Sequence, residues 1–441
     1  MTTDWYSSGF TMSLFDELQW RGMVYDATDG LRELFARQRV TAYIGFDPTA
    51  PSLHVGSLLP LMALARLQRA GHSPIALVGG GTGMIGDPSG KSQERTLLSR
   101  IEIDENVAGI RRQLERFLDF GDLRSAAGSG SSNPARIVNN ADWLATLDLL
   151  GFLRDTGKYF TVNSMLQKES VNRRLESAEG LSFTEFSYLL LQARDFLELF
   201  DRFGCAVQLG GSDQWGNITA GIELIRKLRG QKAHGLVMPL VTTASGVKFG
   251  KTETGTIWLD PARTSPFKFY QFWLNVDDRD AVTYLKHFTF LDQQAIDALE
   301  AATKASPERR EAQRVLAREV TSVVHGHDQL ARAEHASSVL FDGDLSTLEA
   351  DDVLAVFEDV PSTDIASSEF VDGIAIVDLI ARVRLAASKG DARRLVQSGG
   401  VYVNNRRVSD VQVRLTTEAA IGGRLLVLRK GQKQNHVVRL T

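Results

Sequence analysis

Short apolar runs alternate with stretches whose apolar positions recur every three or four residues through the first half of the chain. TAYIGF (41–46), SPIALVG (73–79), RIVNN (136–140) and CAVQLGG (205–211) read as strands, each near Gly, Pro or Asn. SLLPLMALARLQRA (57–70), IRRQLERFLDFG (110–121) and LSFTEFSYLLLQARDFLELF (181–200) carry the helical period. Alternation of this kind predicts a parallel sheet with crossover helices, in which ligands bind outside the carboxyl ends of the strands. From residue 263 to 350 the pattern turns to long helical stretches with few glycines, such as PERREAQRVLAREVTSVVHG (307–326). No tandem repeat interrupts it.

Charge divides the chain where hydropathy does not. The formal net charge is −4, yet from Ile374 onward 13 Lys/Arg stand against 4 Asp/Glu, a balance of +9 that leaves −13 for residues 1–373. Between the two lies EADDVLAVFEDVPSTDIASSEFVD (349–372), with eight acidic residues and no basic one. It reads as a solvated linker. A compact basic unit on an acidic body suggests a polyanionic partner, nucleic acid above all, although a merely solubilising surface has the same composition. One cysteine, Cys205, forbids an intramolecular disulfide, and no apolar run approaches the ~18 residues of a membrane span. With an N-terminus that lacks signal or transit character, these features predict a cytoplasmic protein without membrane partners.

Four stretches carry candidate chemistry. PTAPSLHVGS (48–57) sits between a strand and a helix and holds two prolines, a histidine and a glycine, more than a simple turn requires. LVGGGTGMIGDPSGKSQERT (77–96) contains a literal G-x-G-x-x-G, but turn residues follow where a helix should open, and GDPSGKS is one residue short of a phosphate loop. It is better read as bare backbone for ligand approach, or as a structural loop. On 181–200, Tyr188, Gln192 and Asp195 share one face of an apolar helix and need polar partners, either a ligand or an internal network. LGGSDQWGN (209–217) is another strand end, and TASGVKFGKTETGT (243–256) sets two lysines three apart in a Gly/Thr loop, suited to a polyphosphate or to plain solvent. The eight scattered histidines lack metal-site spacing, and no nucleophile and base stand out for covalent catalysis.

Together these stretches are similar to one family. PTAPSLHVGS resembles the first nucleotide-binding signature of class I aminoacyl-tRNA synthetases and KFGKT (248–252) the second; YIGFDPTA, GDPSGKS, SFTEFSYLLLQARD and GGSDQWGNITAG resemble the bacterial-type tyrosyl-tRNA synthetases in particular. The likeness runs from about Ser13 to the C-terminus. It implies activation of L-tyrosine by ATP, with magnesium accompanying the ATP and no dedicated protein metal site, then transfer to tRNA-Tyr by a homodimer. It implies Thr49, His54, Lys91, Arg95, Lys248, Lys251 and Thr252 as the catalytic groups on the phosphates. Tyr43 and Asp195 would take the phenolic hydroxyl, and Asp87, Tyr188 and Gln192 the α-ammonium. Asp47, Gly56, Ser57, Gly211, Asp213, Gln214 and Lys251 would hold ATP or the adenylate.

The signature's last position, usually histidine, is Ser57 here, which can hydrogen-bond and cap a helix but carries no charge. VDLIARVRLAASKGDARRLVQSGGVYVNNRRVSD (377–410) resembles a small RNA-binding domain, implying RNA contacts by Lys389, Arg393, Arg394, Arg406 and Arg407. The expected organisation is an N-terminal extension (1–12), with Met12 an alternative start, then a Rossmann-like α/β catalytic domain (13–262). A helical tRNA-contacting domain (263–350), an acidic linker (351–372) and a basic α+β RNA-binding domain (373–441) follow. A tryptophanyl-tRNA synthetase would share the fold, a cofactor-making nucleotidylyltransferase would share both signatures without needing the basic tail, and a non-enzymatic RNA-binding protein could keep the scaffold.

Overall fold

A computed structural model describes residues 12–89, 97–121, 133–175, 180–246, 249–252, 255–358, 360–431 and 434–441. Six strands form the main sheet: β1 (Asp26–Ala27), β2 (Thr41–Phe46), β3 (Ser73–Val78), β4 (Arg136–Asn139), β5 (Cys205–Gly211) and β6 (His234–Met238). Their spatial order is β1-β6-β5-β2-β3-β4, parallel throughout except for the antiparallel edge pair β1–β6. The four expected strands are all present within a residue of their predicted ends. β6 is not among the predicted strands: HGLVM opens on His and Gly, which leaves an apolar run of only three residues. Successive strands β2, β3 and β4 step one way, and β5 then returns to the other side of β2. The winding therefore switches between β2 and β5, which opens a crevice at their carboxyl ends.

Four helices set the crevice. α1 (Leu58–Arg69) leaves the turn after β2, and α2 (Arg100–Leu114) follows a capping box built by Ser99 and Glu102. α3 (Phe183–Phe203) is capped by Ser182 and ended by Gly204 at φ 61°, and α4 (Trp215–Arg229) follows β5 directly. α3 and α4 bury Leu189, Ala193, Phe196, Leu224 and Ile225 against Tyr43, Ile75 and Leu77 of the sheet. None of the described helices is long and apolar enough to cross a membrane.

The chain folds as two compact units, Met1–Arg263 with Val276–Leu316, and Thr264–Asn275 with Ala317–Thr441. This division departs from the expected boundaries at 262 and 372. Residues 276–316 pack within the first unit. In the second, the acidic stretch contributes a helix, Ala350–Val356, and a strand, Ser362–Ile365, which lies parallel to Gln434–Leu440. That strand closes one edge of a five-stranded sheet. Along Leu425–Lys430 the side chains alternate: Leu425 and Val427 join Phe267, Val339 and Val353 in one core, while Leu426 and Leu428 join Ile376, Ile380 and Val396 in another. The sheet is thus covered on both faces, and the acidic segment is part of it rather than a solvated tether.

Candidate active site at the ends of β2 and β5

A cavity of about 410 Å³ opens at the switch point. It is lined by the carboxyl ends of β2 and β5, the turn 47–57, α3 and the turn 212–214. Of the residues implied by resemblance, it gathers Tyr43, Asp47, Thr49, His54, Gly56, Ser57, Asp87, Tyr188, Gln192, Asp195, Gly211, Asp213 and Gln214. Lys91, Arg95 and Lys248 lie outside the described residues, and Lys251 and Thr252 are described in backbone only, paired with Thr256 and Gly255.

At the closed end stand Tyr43 and Asp195, which are 0% and 1% exposed. The Tyr43 hydroxyl is buried without a hydrogen-bond partner among the described residues. Burial, with the nearby Asp195 carboxyl, holds its phenol well above the usual range, so it stays neutral. Asp195 accepts from Trp143 Nε1 at 2.7 Å and from Asn140 Nδ2 at 2.9 Å. Burial nevertheless dominates, and the carboxyl is pushed up to about 8 although both donors pull the other way.

Asn140 extends the network. Its Oδ1 accepts from Gly81 N at 2.7 Å, and its Nδ2 also donates to Thr82 Oγ1 at 2.9 Å. Thr82 donates to Asp47 Oδ1 and Tyr188 to Asp47 Oδ2, both at 2.8 Å. The polar stripe of α3 therefore finds partners both within the protein and along the cavity. Asn139 and Asn140 occupy the amides of Gly80 and Gly81, so this part of the glycine run is bonded to its own chain rather than open to a ligand. Sequence reasoning missed Asn140, Trp143 and Thr82. The available signal was NNADW at the carboxyl end of a predicted strand, where polar side chains reach the crevice.

A second chain of amides crosses the middle. Gln214 Nε2 donates to Asp87 Oδ2 at 2.7 Å, Gln192 Nε2 to Gln214 Oε1 at 3.2 Å, and Asn217 Nδ2 to Gln192 Oε1 at 2.9 Å. Asp87, from the glycine-rich segment, is thereby tied to α3 and to the turn after β5.

At the open end the turn is braced by α2. Asn106 Nδ2 donates to Pro48 O at 2.9 Å, and Gln113 accepts from Leu53 N and donates to Ser52 Oγ, both at 2.8 Å. His54 Nδ1 accepts from Gly56 N at 3.0 Å, which places the proton of a neutral ring on Nε2. A Cβ at position 56 would stand 2.7 Å from His54 Cε1, so the glycine makes room for the imidazole itself. Ser57 heads α1 but makes no capping hydrogen bond with its side chain. The backbone of 53–55 pairs with that of 257–259 through Val55 N to Ile257 O at 3.0 Å and Leu259 N to Leu53 O at 2.9 Å.

The basic residues of the second unit do not belong to this cavity. Lys389, Arg393, Arg394, Arg406 and Arg407 are exposed. Lys389 meets Asp378 at 2.7 Å, Arg394 pairs with Asp391 and Arg406 with Asp344, while Arg407 donates to Gly399 O at 2.8 Å. Asn404 and Asn405 form a hairpin turn at φ 50° and 67°, the left-handed conformation that asparagine tolerates.

Comparison with known proteins matches these features. Residues 36–342 fit the family described as tRNA synthetases class I (W and Y), and residues 352–438 the family described as the tyrosine–tRNA ligase SYY-like C-terminal domain. The chain is 58% identical over 429 residues to a tyrosine–tRNA ligase of Roseiflexus castenholzii, covering 97% of this chain and 99% of that one. It is 52% identical over 431 residues to that of Geobacillus stearothermophilus, covering 97% and 100%. A C-terminally truncated mitochondrial tyrosyl-tRNA synthetase of Aspergillus nidulans superposes with a TM-score of 0.67 at 34% identity, over 75% of this chain and 95% of that one. A switch-point cavity with a histidine turn at one end and a buried tyrosine–aspartate pair at the other, in a chain matched along nearly its whole length, belongs to the class I tyrosyl-tRNA synthetase family.

Proposed function

We propose that the cavity binds L-tyrosine with its phenol at the closed end and ATP at the open end. The enzyme activates tyrosine with ATP to tyrosyl-adenylate and pyrophosphate, then transfers tyrosine to the 3′ end of tRNA-Tyr. The attacking group is an α-carboxylate, whose ordinary pKa of ~3.5 makes it an anion at neutral pH, so no general base is needed. Catalysis rests on positioning and on positive charge around the phosphates. His54 would donate from Nε2 to a phosphate oxygen, Thr49 would join it, and Lys91, Arg95, Lys248, Lys251 and Thr252 would surround the pyrophosphate. Magnesium would arrive on ATP as part of the substrate.

In the tyrosine pocket, the phenolic hydroxyl would complete the unpartnered hydroxyl of Tyr43 and meet Asp195, while Asp87, Tyr188 and Gln192 would receive the α-ammonium. Asp47, Gly56, Ser57, Gly211, Asp213 and Gln214 would bind the adenylate. The observation that carries this reading is the orphaned Tyr43 hydroxyl beside a carboxyl at the blind end of the cavity. ATP–pyrophosphate exchange without tRNA, run with each of the twenty amino acids, tests it. Exchange with tyrosine alone is expected, and exchange with tryptophan would overturn the pocket assignment.

The exposed basic residues of the second unit would bind the long variable arm of tRNA-Tyr, with Arg393 offering an exposed guanidinium. A homodimer is supported by an unusual run of exposed apolar side chains within residues 149–183. Leu149, Leu150 and Phe183 are 71%, 76% and 78% exposed. Sedimentation should give twice the chain mass, and the pair Leu150→Lys with Phe183→Lys should halve it. The proposed location is the cytoplasm.

A further inference from the structure

The turn 54–57 and the lysine loop are far apart in sequence, yet contacts within the first unit join them in a closed ring. Gly250 adopts φ 80°, and a Cβ there would stand 2.4 Å from Val55 Cγ2, so the loop backbone lies directly on the turn. Ile257 N donates to Gly250 O at 3.2 Å, and Ile257 O accepts from Val55 N at 3.0 Å. Phe249 is buried and points the other way, onto α5 (Asp278–Phe288). It stacks on Phe288, with centroids 5.4 Å apart and planes at 12°, and it meets Tyr284 at 4.8 Å. Tyr284 Oη donates to Thr242 O at 3.1 Å, and Asp280 Oδ2 accepts from Ala244 N at 3.0 Å. Positions 280, 284 and 288 share one face of α5, which thus holds the segment before the loop as well as the loop's aromatic residue.

The carbonyl end of α5 is gripped in turn by two buried guanidiniums. Arg66 donates to His287 O at 3.1 Å and Lys286 O at 3.2 Å, and Arg21 to Lys286 O at 3.0 Å and Leu291 O at 2.8 Å. The planar fork of arginine suits a helix end, where several carbonyls lack intrahelical partners. Arg66 stands on α1, the helix that begins at the histidine turn, so the path from turn to α1, to α5, to Phe249 and back to the turn is closed.

We propose that the 280/284/288 face of α5 is a positioning surface for the lysine loop. By seating Phe249 it positions the backbone that carries Lys251, two residues on, relative to His54 as pyrophosphate leaves. Asp280, Tyr284 and Phe288 are then positioning residues for the activation step. This rests on the reading of the lysine loop as the pyrophosphate contact.

The test is the single-turnover rate of tyrosyl-adenylate formation by the full-length enzyme, with the tyrosine dissociation constant measured alongside. Phe288→Leu is expected to slow the step about tenfold while tyrosine affinity stays within twofold. Tyr284→Phe, which keeps the ring against Phe249 and loses the hydroxyl's hydrogen bond to Thr242, should slow the step less than Phe288→Leu does. Lys251→Ala should slow the step by itself, and adding Phe288→Leu to it should cost less than a further twofold, because the seat acts through Lys251. A parental rate in Phe288→Leu, multiplying losses in the double variant, or tyrosine affinity falling in step with rate would overturn the inference. A parental rate in Lys251→Ala would overturn the lysine-loop reading, and the inference with it. Should Phe288→Leu fail to fold, Tyr284→Leu at the centre of the same face is scored in the same way.

Discussion

At the residue scale the closed end of the cavity is the most informative feature, because it holds a polar atom, the Tyr43 hydroxyl, that finds no partner among the described residues. Removing a buried hydroxyl without a partner costs no protein hydrogen bond and relieves its desolvation. Tyr43→Phe should therefore melt at or above the parental temperature while the ratio of kcat/KM for tyrosine over phenylalanine falls about tenfold, the worth of roughly one hydrogen bond. Thermal denaturation and ATP–pyrophosphate exchange with both amino acids check the two halves. Asp195 supplies a pH signature. Its carboxyl lies near 8 in the free protein and near ~3.9 in an unfolded chain, so the folded form holds an extra proton between those values and its contribution to stability falls as pH rises through that window. A phenol donating to Asp195 favours the ionised form, so tyrosine binding should release a proton below pH 8. Affinity should then rise toward pH 8 and level off above it. Calorimetry in buffers of different ionisation enthalpy measures that release, and Trp143→Phe, which deletes one donor, should move the levelling point to higher pH.

At the element scale the histidine turn depends on a helix, α2, whose residue in the cavity lining, Ile110, is apolar. Asn106 and Gln113 are seven residues apart on α2, two helical turns, and both bond the chain that carries His54. Gln113→Ala removes two hydrogen bonds and orphans the Leu53 amide, for a cost of about 1–3 kcal/mol. The expected result is a lower melting temperature and a kcat for activation reduced several-fold, with KM for tyrosine unchanged because the closed end is built from other elements. Exchange kinetics at varied tyrosine and ATP separate these effects. An equal rise in KM for tyrosine would show that the brace reaches the whole site.

At the scale of the whole molecule, the helices and the basic region of the second unit share one sheet with a core on each face. A chain ended after residue 365 keeps the strand Ser362–Ile365 and loses every strand beside it, which uncovers Phe267, Val339 and Val353. Such a chain should retain exchange within about twofold, fail to charge tRNA, and bind an apolar dye that the full-length enzyme excludes. In the full-length enzyme, Arg393→Gln should lower the slope of log affinity for tRNA against log salt by about one, as loss of a single phosphate contact requires.

The scales also separate what the amino-acid order determined from what folding decided. Short apolar runs specified the parallel strands around TAYIGF and CAVQLGG, and the helical period specified the amphipathic α3, because burial of one helix face leaves a local repeat in the sequence. Turn chemistry drew attention to the open end at 48–57, while Tyr43 and Asp195 at the closed end were paired only through the family resemblance. Nothing local marked β6, whose apolar run is only three residues long, or showed that the acidic stretch 349–372 would donate a strand to a sheet. Asn140 and Trp143 on Asp195, Gln113 behind the histidine turn, and Phe249 on α5 pair residues separated by tens of positions. Tertiary structure alone decided these, because hydrogen bonds and ring stacking depend on proximity in space and leave no period along the chain.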